Sequence, residues 1–403
     1  MGSPASSNCR ASNLRRGIGV ALLVASVTML DWVPAAGAAT PPVDGHGTET
    51  ARLASPSAIN TNVLRAVSCV SEQFCVAVGY TFVGQNDYPL AEFWNGSSWR
   101  IDSPPHPASG PGGSSQAALN GLSCTATTAC VAVGFGSVGT GVYGLIEAWN
   151  GTAWGVEPAA QLGESTGDLA AVSCVAANDC NAVGWTESAN SIDRTLAERW
   201  NGRTWAVKAT GNAEGSGQLY GVSCSKPKAC VAVGYGLPHS ALTELWNGTS
   251  WRVQGGPTVA TKYLTLTAVS CTSPDSCDAV GYQAIDGTAS GLAESWNGKY
   301  WRIRPTPTPS HSGLTGQLSG ISCIPATGDC EAGGQRSTSS QKLSLAEGWN
   351  GSYWKIQATP DPPGNSSLQG VSCSGPGSCV AVGATLSEVW NGTTWTMHST
   401  PKG

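Results

Sequence analysis

Residues 67–99 read VSCVSEQFCVAVGYTFVGQNDYPLAEFWNGSSW. The triplet ending at Cys69 is followed by five residues and then Cys75-Val-Ala-Val-Gly79. A variable stretch leads to Leu90-Ala-Glu92-Phe-Trp94, the pair Asn95-Gly96, and Trp99. The unit recurs seven times and fills nearly all of the chain beyond residue 63. Its first cysteines, Cys69, Cys124, Cys174, Cys224, Cys271, Cys323 and Cys373, lie 47 to 55 residues apart.

Each unit carries four short strand signals. Strand a ends at the first cysteine (Leu64 to Cys69). Strand b is apolar and β-branched (Cys75 to Tyr80), strand c alternates (Leu90 to Trp94), and strand d begins at Trp99 and ends in Ser, Thr and Pro. Four strands in about 50 residues is the period of a β-propeller blade. A linear stack would need polar caps at both ends, and neither end shows one. Closing a ring buries the free faces of the first and last units against each other.

The sequence therefore predicts an all-β fold, a seven-bladed propeller with four antiparallel strands and one intra-blade disulfide per blade. The blades fall near 63–105, 118–160, 168–210, 218–256, 264–307, 317–360 and 367–403. How the ring locks stays open. Arg52 to Ser57 resembles a strand d, yet the chain also ends on one, Trp395 to Thr400, and both cannot take the same edge.

The cysteines pair locally: Cys69 with Cys75, Cys124 with Cys130, Cys174 with Cys180, Cys224 with Cys230, Cys271 with Cys277, Cys323 with Cys330 and Cys373 with Cys379. Each pair spans a hairpin mouth, where separations suit a disulfide. Thiolate metal sites need about four converging ligands, and pairs on seven blades cannot converge. The five His follow no repeat, so no metal and no cofactor is expected.

Strand a has a small residue three before its cysteine (Ala66, Gly121, Ala171, Gly221, Ala268, Gly320, Gly370), as crowding at a propeller axis requires. Leu90, Glu92 and Trp94 alternate onto one face, and Trp99 lands there across the Asn-Gly turn. The result is a structural cluster between blades, repeated at Glu147, Trp149 and Trp154. A carboxylate between tryptophans could suggest a general acid. Seven identical copies argue for a structural role, with each Glu accepting hydrogen bonds from a Trp N–H or turn amides. Catalytic residues are therefore assigned to none of these. Five hairpins and Asn365 carry glycosylation sequons, but Asn201 and Asn297 keep Asn-Gly without the hydroxyl, so turn chemistry explains the hairpin Asn.

An apolar strand, a Gly and a paired-aromatic hairpin resemble kelch repeats, and Gly96-x-x-Trp99 resembles the Asp-box of sialidase-like propellers. That box wants Asp where this chain has Trp94. The whole unit is similar to the cysteine-paired repeats of secreted bacterial propeller proteins. The resemblance covers residues 63–403 and implies the fold alone; no set of Arg maps onto the sialidase pattern.

Residues 1–39 read as a signal peptide: Arg10, Arg15 and Arg16, an apolar run from Gly17 to Leu30, then small residues to Ala39. The run is too short to span a membrane, and no second candidate follows. Arg15-Arg16 leaves the twin-arginine route open beside general secretion. Residues 40–62, rich in Pro, Thr, Ser and Gly, read as a flexible linker. Without its leader the chain has 18 basic and 25 acidic residues and no basic cluster, so nucleic acid is not an expected partner. A secreted or cell-envelope monomer is expected.

Function should sit where repeats differ. The residue after the strand b Gly is Tyr80, Phe135, Trp185, Tyr235 and Tyr282 in five units, then Gln335 and Ala384. The five aromatics could be ligand-stacking platforms on one rim or caps on the core beneath the b–c loops. Three functions follow: a recognition scaffold for a glycan or protein, a sialidase-like or lyase-type enzyme, or a structural envelope protein. The enzyme would require one non-repeated cluster of Arg, Tyr and acids at a channel mouth.

Overall fold

The computed structural model describes residues 61–402, except 85, 106–115, 139–140, 161, 163–165, 188–191, 212–215, 238–239, 258–262, 286–287, 308–314, 339 and 363. The signal reading, nearly all of the linker and the stretch Arg52 to Ser57 lie outside these residues. Twenty-eight strands, numbered β1 to β28 in chain order, form seven four-stranded antiparallel sheets. Blade one is β1 (Thr61–Ser71), β2 (Phe74–Val83), β3 (Asn86–Trp94) and β4 (Trp99–Ile101). β1 thus begins two residues inside the segment read as linker.

Each sheet uses four consecutive strands. Blade seven is β25 (Leu368–Gly375), β26 (Ser378–Gly383), β27 (Ser387–Trp390) and β28 (Trp395–His398), so the chain's own last strand holds the outer edge there. The ring closes by packing between blades seven and one.

The first strand of every blade packs on the first strand of both neighbours, the last on the first included. The small residues make this possible. A Cβ on Gly121 would lie 2.7 Å from Ala171 Cα, and one on Gly370 3.0 Å from Ala66 Cα. A chain of hydrogen bonds runs round the same ring. Each Ser before a first cysteine accepts the amide of the next blade's cysteine: Cys124 to Ser68, Cys174 to Ser123, Cys224 to Ser173, Cys271 to Ser223, Cys323 to Ser270, Cys373 to Ser322, and Cys69 to Ser372, all at 2.9–3.0 Å.

All seven predicted disulfides form, each between residues directly opposed across the a–b hairpin, as in Cys69 and Cys75. Cystines at this density mark a chain folded in an oxidising, non-cytoplasmic compartment. No helix among the described residues is long and apolar enough to cross a membrane.

The core lies between blades. Leu90, Trp94 and Trp99 pack on Val380 and Val382 of blade seven, and Leu145, Trp149 and Trp154 pack on Val76, Val78 and Phe93 of blade one. Trp94 and Trp99 face each other directly, with ring centroids 5.5 Å apart. The turn between them has four residues. Asn95 Oδ1 accepts the amides of Ser97 and Ser98, and Gly96 sits at φ +94°, which suits glycine.

The expected partners of the glutamates need correction. Glu92, Glu147, Glu198, Glu244, Glu294, Glu347 and Glu388 are buried, but none accepts from a tryptophan or from its own turn. Trp94 Nε1 donates to Glu72 O on the a–b turn at 3.2 Å, Trp149 to Thr127 O at 3.1 Å, and Trp99 to Ser387 Oγ of blade seven at 2.8 Å, while Nε1 of Trp154, Trp251, Trp301 and Trp354 is buried without a partner among the described residues. A strand c side chain points across the seam, away from its own hairpin tip, so the carboxyl meets the preceding blade.

Candidate functional site

The invariant glycine of strand b creates the site's geometry. In each blade strand a carries an irregularity two residues beyond the partner of the rim residue, as between Leu64 and Ala66. It swings a backbone carbonyl against the glycine, so a Cβ on Gly79 would sit 1.8 Å from Val63 O and one on Gly184 1.9 Å from Asp168 O. The bulge leaves one residue per blade outside the ladder register, next to the axis. Those residues are Arg65, Asn120, Ala170, Tyr220, Thr267, Ser319 and Gln369. Bulges re-aim side chains in this way beside binding sites.

At the b–c end of the ring two of these residues meet rim aromatics, Arg65 with Tyr80 and Tyr220 with Trp185. Tyr80, Phe135, Trp185, Tyr235 and Tyr282 are all half-buried, opposite Val63, Ala118, Asp168, Gln218 and Thr265 of strand a. The Arg65 guanidinium lies 4.8 Å over the Tyr80 ring and donates to Asn120 Oδ1. Asn120 Nδ2 donates in turn to Asp168 Oδ1 at 2.9 Å and to Leu169 O at 3.1 Å. A polar chain therefore crosses blades one, two and three.

A second polar set lies on blades three and four. Trp185 meets Tyr220 edge to face at 6.0 Å, the Tyr220 hydroxyl bonds Gln218, and Gln218 Nε2 donates to Asp193 Oδ2 at 2.6 Å. Tyr235 keeps a buried hydroxyl with no hydrogen-bond partner among the described residues. Blades six and seven differ: Gln335 Nε2 donates to Gln317 Oε1 at 3.1 Å, and Ala384 offers no ring.

Burial dominates the electrostatics. It pushes the Asp168 carboxyl up to about 7, against the opposing pull of Arg65 and of the Asn120 hydrogen bond. Burial also raises Asp87, opposed by Arg65, and raises Asp193, opposed by Gln218 and reinforced by Glu187. The Tyr220 hydroxyl is raised by burial and then by Tyr282, Asp193 and Tyr235. Arg65 thus acts on two carboxyls, Asp87 and Asp168.

The sequence reading named the five aromatics, as platforms or as core caps, and did not name Arg65, Asn120, Asp168 or Tyr220. For Arg65, Asn120 and Tyr220 the signal was available as the residue just before the small position of strand a, which varies from repeat to repeat; Asp168 stands instead directly opposite Trp185. Asp278, Cys323 and Cys330 converge, but the two cysteines form a disulfide and supply no thiolate for a metal. The arrangement offers planar faces beside donors and acceptors, which suits hydroxyl-rich or amide-rich ligands.

No protein-family model matches the chain, and no curated protein matches it. Among solved structures it is similar to the GH74 xyloglucanase of Xanthomonas campestris, with a TM-score of 0.51 and 12% identity, covering 83% of this chain and 53% of that one. It is similar to YCF48 bound to D1 peptide (TM-score 0.48, 12% identity, 85% and 93% covered). It is also similar to the fucose-specific lectin of Aleuria aurantia (0.44, 15% identity, 77% and 99% covered). At these identities the first likeness speaks for the propeller fold alone.

Proposed function

We propose that this chain is a secreted, non-catalytic recognition scaffold that holds its ligand at the b–c mouth of the ring. One observation carries the reading. In a molecule whose strands, cystines and tryptophan pairs repeat sevenfold, the b–c end departs from symmetry, with rings on blades one to five and the Arg65–Asn120–Asp168 chain on blades one to three. Side-chain amide, carboxyl and guanidinium beside aromatic faces favour a neutral glycan over a peptide, because they match paired hydroxyls flanking an apolar sugar face. Export is inferred from the leader-like first 39 residues together with the seven cystines.

The enzyme reading asked for a single cluster of Arg, Tyr and acids. Arg65, Tyr80 and Asp168 form one, but its only guanidinium is already held by Asn120 and Tyr80. A glycan and cell-wall polysaccharide array probed with the purified, oxidised chain tests the proposal. Saturable binding without product formation supports it. Release of sugar products would replace it with the enzyme, and silence across the array would leave the protein-ligand or structural roles.

A further inference from the structure

Six residues beyond the second hairpin tryptophan, the chain leaving each blade passes the buried glutamate of the next. In two seams this position has an amide to give. Ala160 N donates to Glu198 Oε2 and Gly211 N to Glu244 Oε2, both at 2.9 Å. In the other five it is proline: Pro105 ahead of Glu147, Pro257 ahead of Glu294, Pro307 ahead of Glu347, Pro360 ahead of Glu388, and Pro401 ahead of Glu92. Proline nitrogen carries no hydrogen, so the seam loses its one regular donor.

Two of these five seams show the placement directly, and the other three follow from the repeat. Asn62 Nδ2 donates both to Pro401 O at 3.0 Å and to Glu92 Oε1 at 3.4 Å, and a Cβ on Gly256, next to Pro257, would lie 3.9 Å from Glu294 Oε2. Both carboxyl oxygens of Glu147, Glu294 and Glu388, and Oε2 of Glu92 and of Glu347, are buried without a hydrogen-bond partner among the described residues. Among the described residues no cation acts on any of the five carboxyls. The Asp361 carboxylate and the Ser344 hydroxyl stand near Glu388, and Asn62 near Glu92. An isolated carboxylate so placed is costly, and the group neutralises instead.

We propose that the five proline-faced glutamates are un-ionised carboxylic acids in the folded ring, so that the blade seams are closed in mild acid and loosen as these groups ionise. Burial pushes Glu147 and Glu347 up to about 8, and Glu92, Glu294 and Glu388 to about 7. Glu198 also rises to about 7, but there the Ala160 amide opposes burial. A carboxyl raised in the fold contributes its full stability below the ordinary value of 4.5 and loses it as pH climbs through the folded value. The window runs from 4.5 to about 8.

Thermal unfolding of the oxidised chain across that window tests this. The wild-type Tm falls steadily as pH rises. The double variant Glu147→Gln/Glu347→Gln matches wild type near the acid end and exceeds it at the alkaline end. Pro307→Ala, which returns an amide to the seam of Glu347, flattens the wild-type slope. Should the double variant fail to fold, the infrared carbonyl band of protonated carboxyls near neutral pH is read in Glu147→Gln and Glu347→Gln singly. Asp168 and Glu198 contribute to that band in wild type, so the expected result is a band that each change diminishes, and a band that neither diminishes overturns the proposal. A Tm that stays level or rises across the window, or an absent band, overturns the proposal in favour of ionised, internally hydrated carboxylates.

Discussion

The Cys69 amide donates to Ser372 Oγ at 2.9 Å across 303 residues of sequence. This bond has the same donor and acceptor as the six between consecutive blades, and its length matches theirs to 0.1 Å, so the closing seam carries the same axial bond as every other. Among the described residues no strand is exchanged between the first and last blades. If closure is equivalent, Ser372→Ala and Ser123→Ala should each cost about 1–2 kcal/mol, since each leaves a cysteine amide without its acceptor. Urea unfolding of the two variants under oxidising conditions checks this. A loss confined to Ser123→Ala would mean the closing seam bears no load.

Two glycines separate backbone demand from mere composition. Gly79→Ala places a methyl 1.8 Å from Val63 O, which only a shift of strand a can relieve, whereas a Cβ on Gly155 meets nothing within 4 Å. The first change should cost about 3 kcal/mol or more, or abolish folding, and the second should stay within about 0.5 kcal/mol. Soluble yield and Tm of the pair are the readout.

Each cystine closes a short loop across paired strands. Replacing Cys174 and Cys180 together by Ala should lower stability by about 2 kcal/mol while leaving the ring folded. Denaturant midpoints of the oxidised proteins measure the loss. Complete unfolding from this one removal would show that blades are not independently stapled.

Asp168 gives the mouth its own pH dependence. Its carboxyl is raised to about 7 by burial, so its contribution is whole below the ordinary 3.8 and vanishes as pH rises through 7. Asp168→Asn cannot ionise. The Tm of the variant minus that of wild type should therefore grow between pH 4 and 7, and a constant difference would mean that Arg65 keeps Asp168 ionised.

Blade number, strand order, cystine pairing and the Trp94–Trp99 contact were legible in the sequence because each is stated seven times. Repetition averages away local ambiguity, so even the crowding that calls for Gly121 or Ala66 could be read. The site was half legible for the same reason. Trp185 and Tyr235 stand at a repeated landmark, one residue after a glycine, whereas Arg65, Asn120 and Tyr220 occupy a bulge that exists only once strands a and b pair out of step. The seam carboxyls were misjudged because their partners lie in the preceding blade. There Pro105 and Pro307 read as strand terminators, while what matters physically is the hydrogen they lack.

The central claim is that ligand lies on the b–c mouth. The measurement that tests it most directly is titration calorimetry with the strongest glycan from the array, on wild type, Trp185→Ala, Asn120→Ala and Tyr353→Ala. Tyr353 is 58% exposed on a c–d hairpin at the opposite end of the ring. The account predicts that the first two variants lose about tenfold or more in affinity, as truncated central contacts do, while Tyr353→Ala binds like wild type. Undiminished binding by Trp185→Ala and Asn120→Ala, or loss on changing Tyr353, would contradict it.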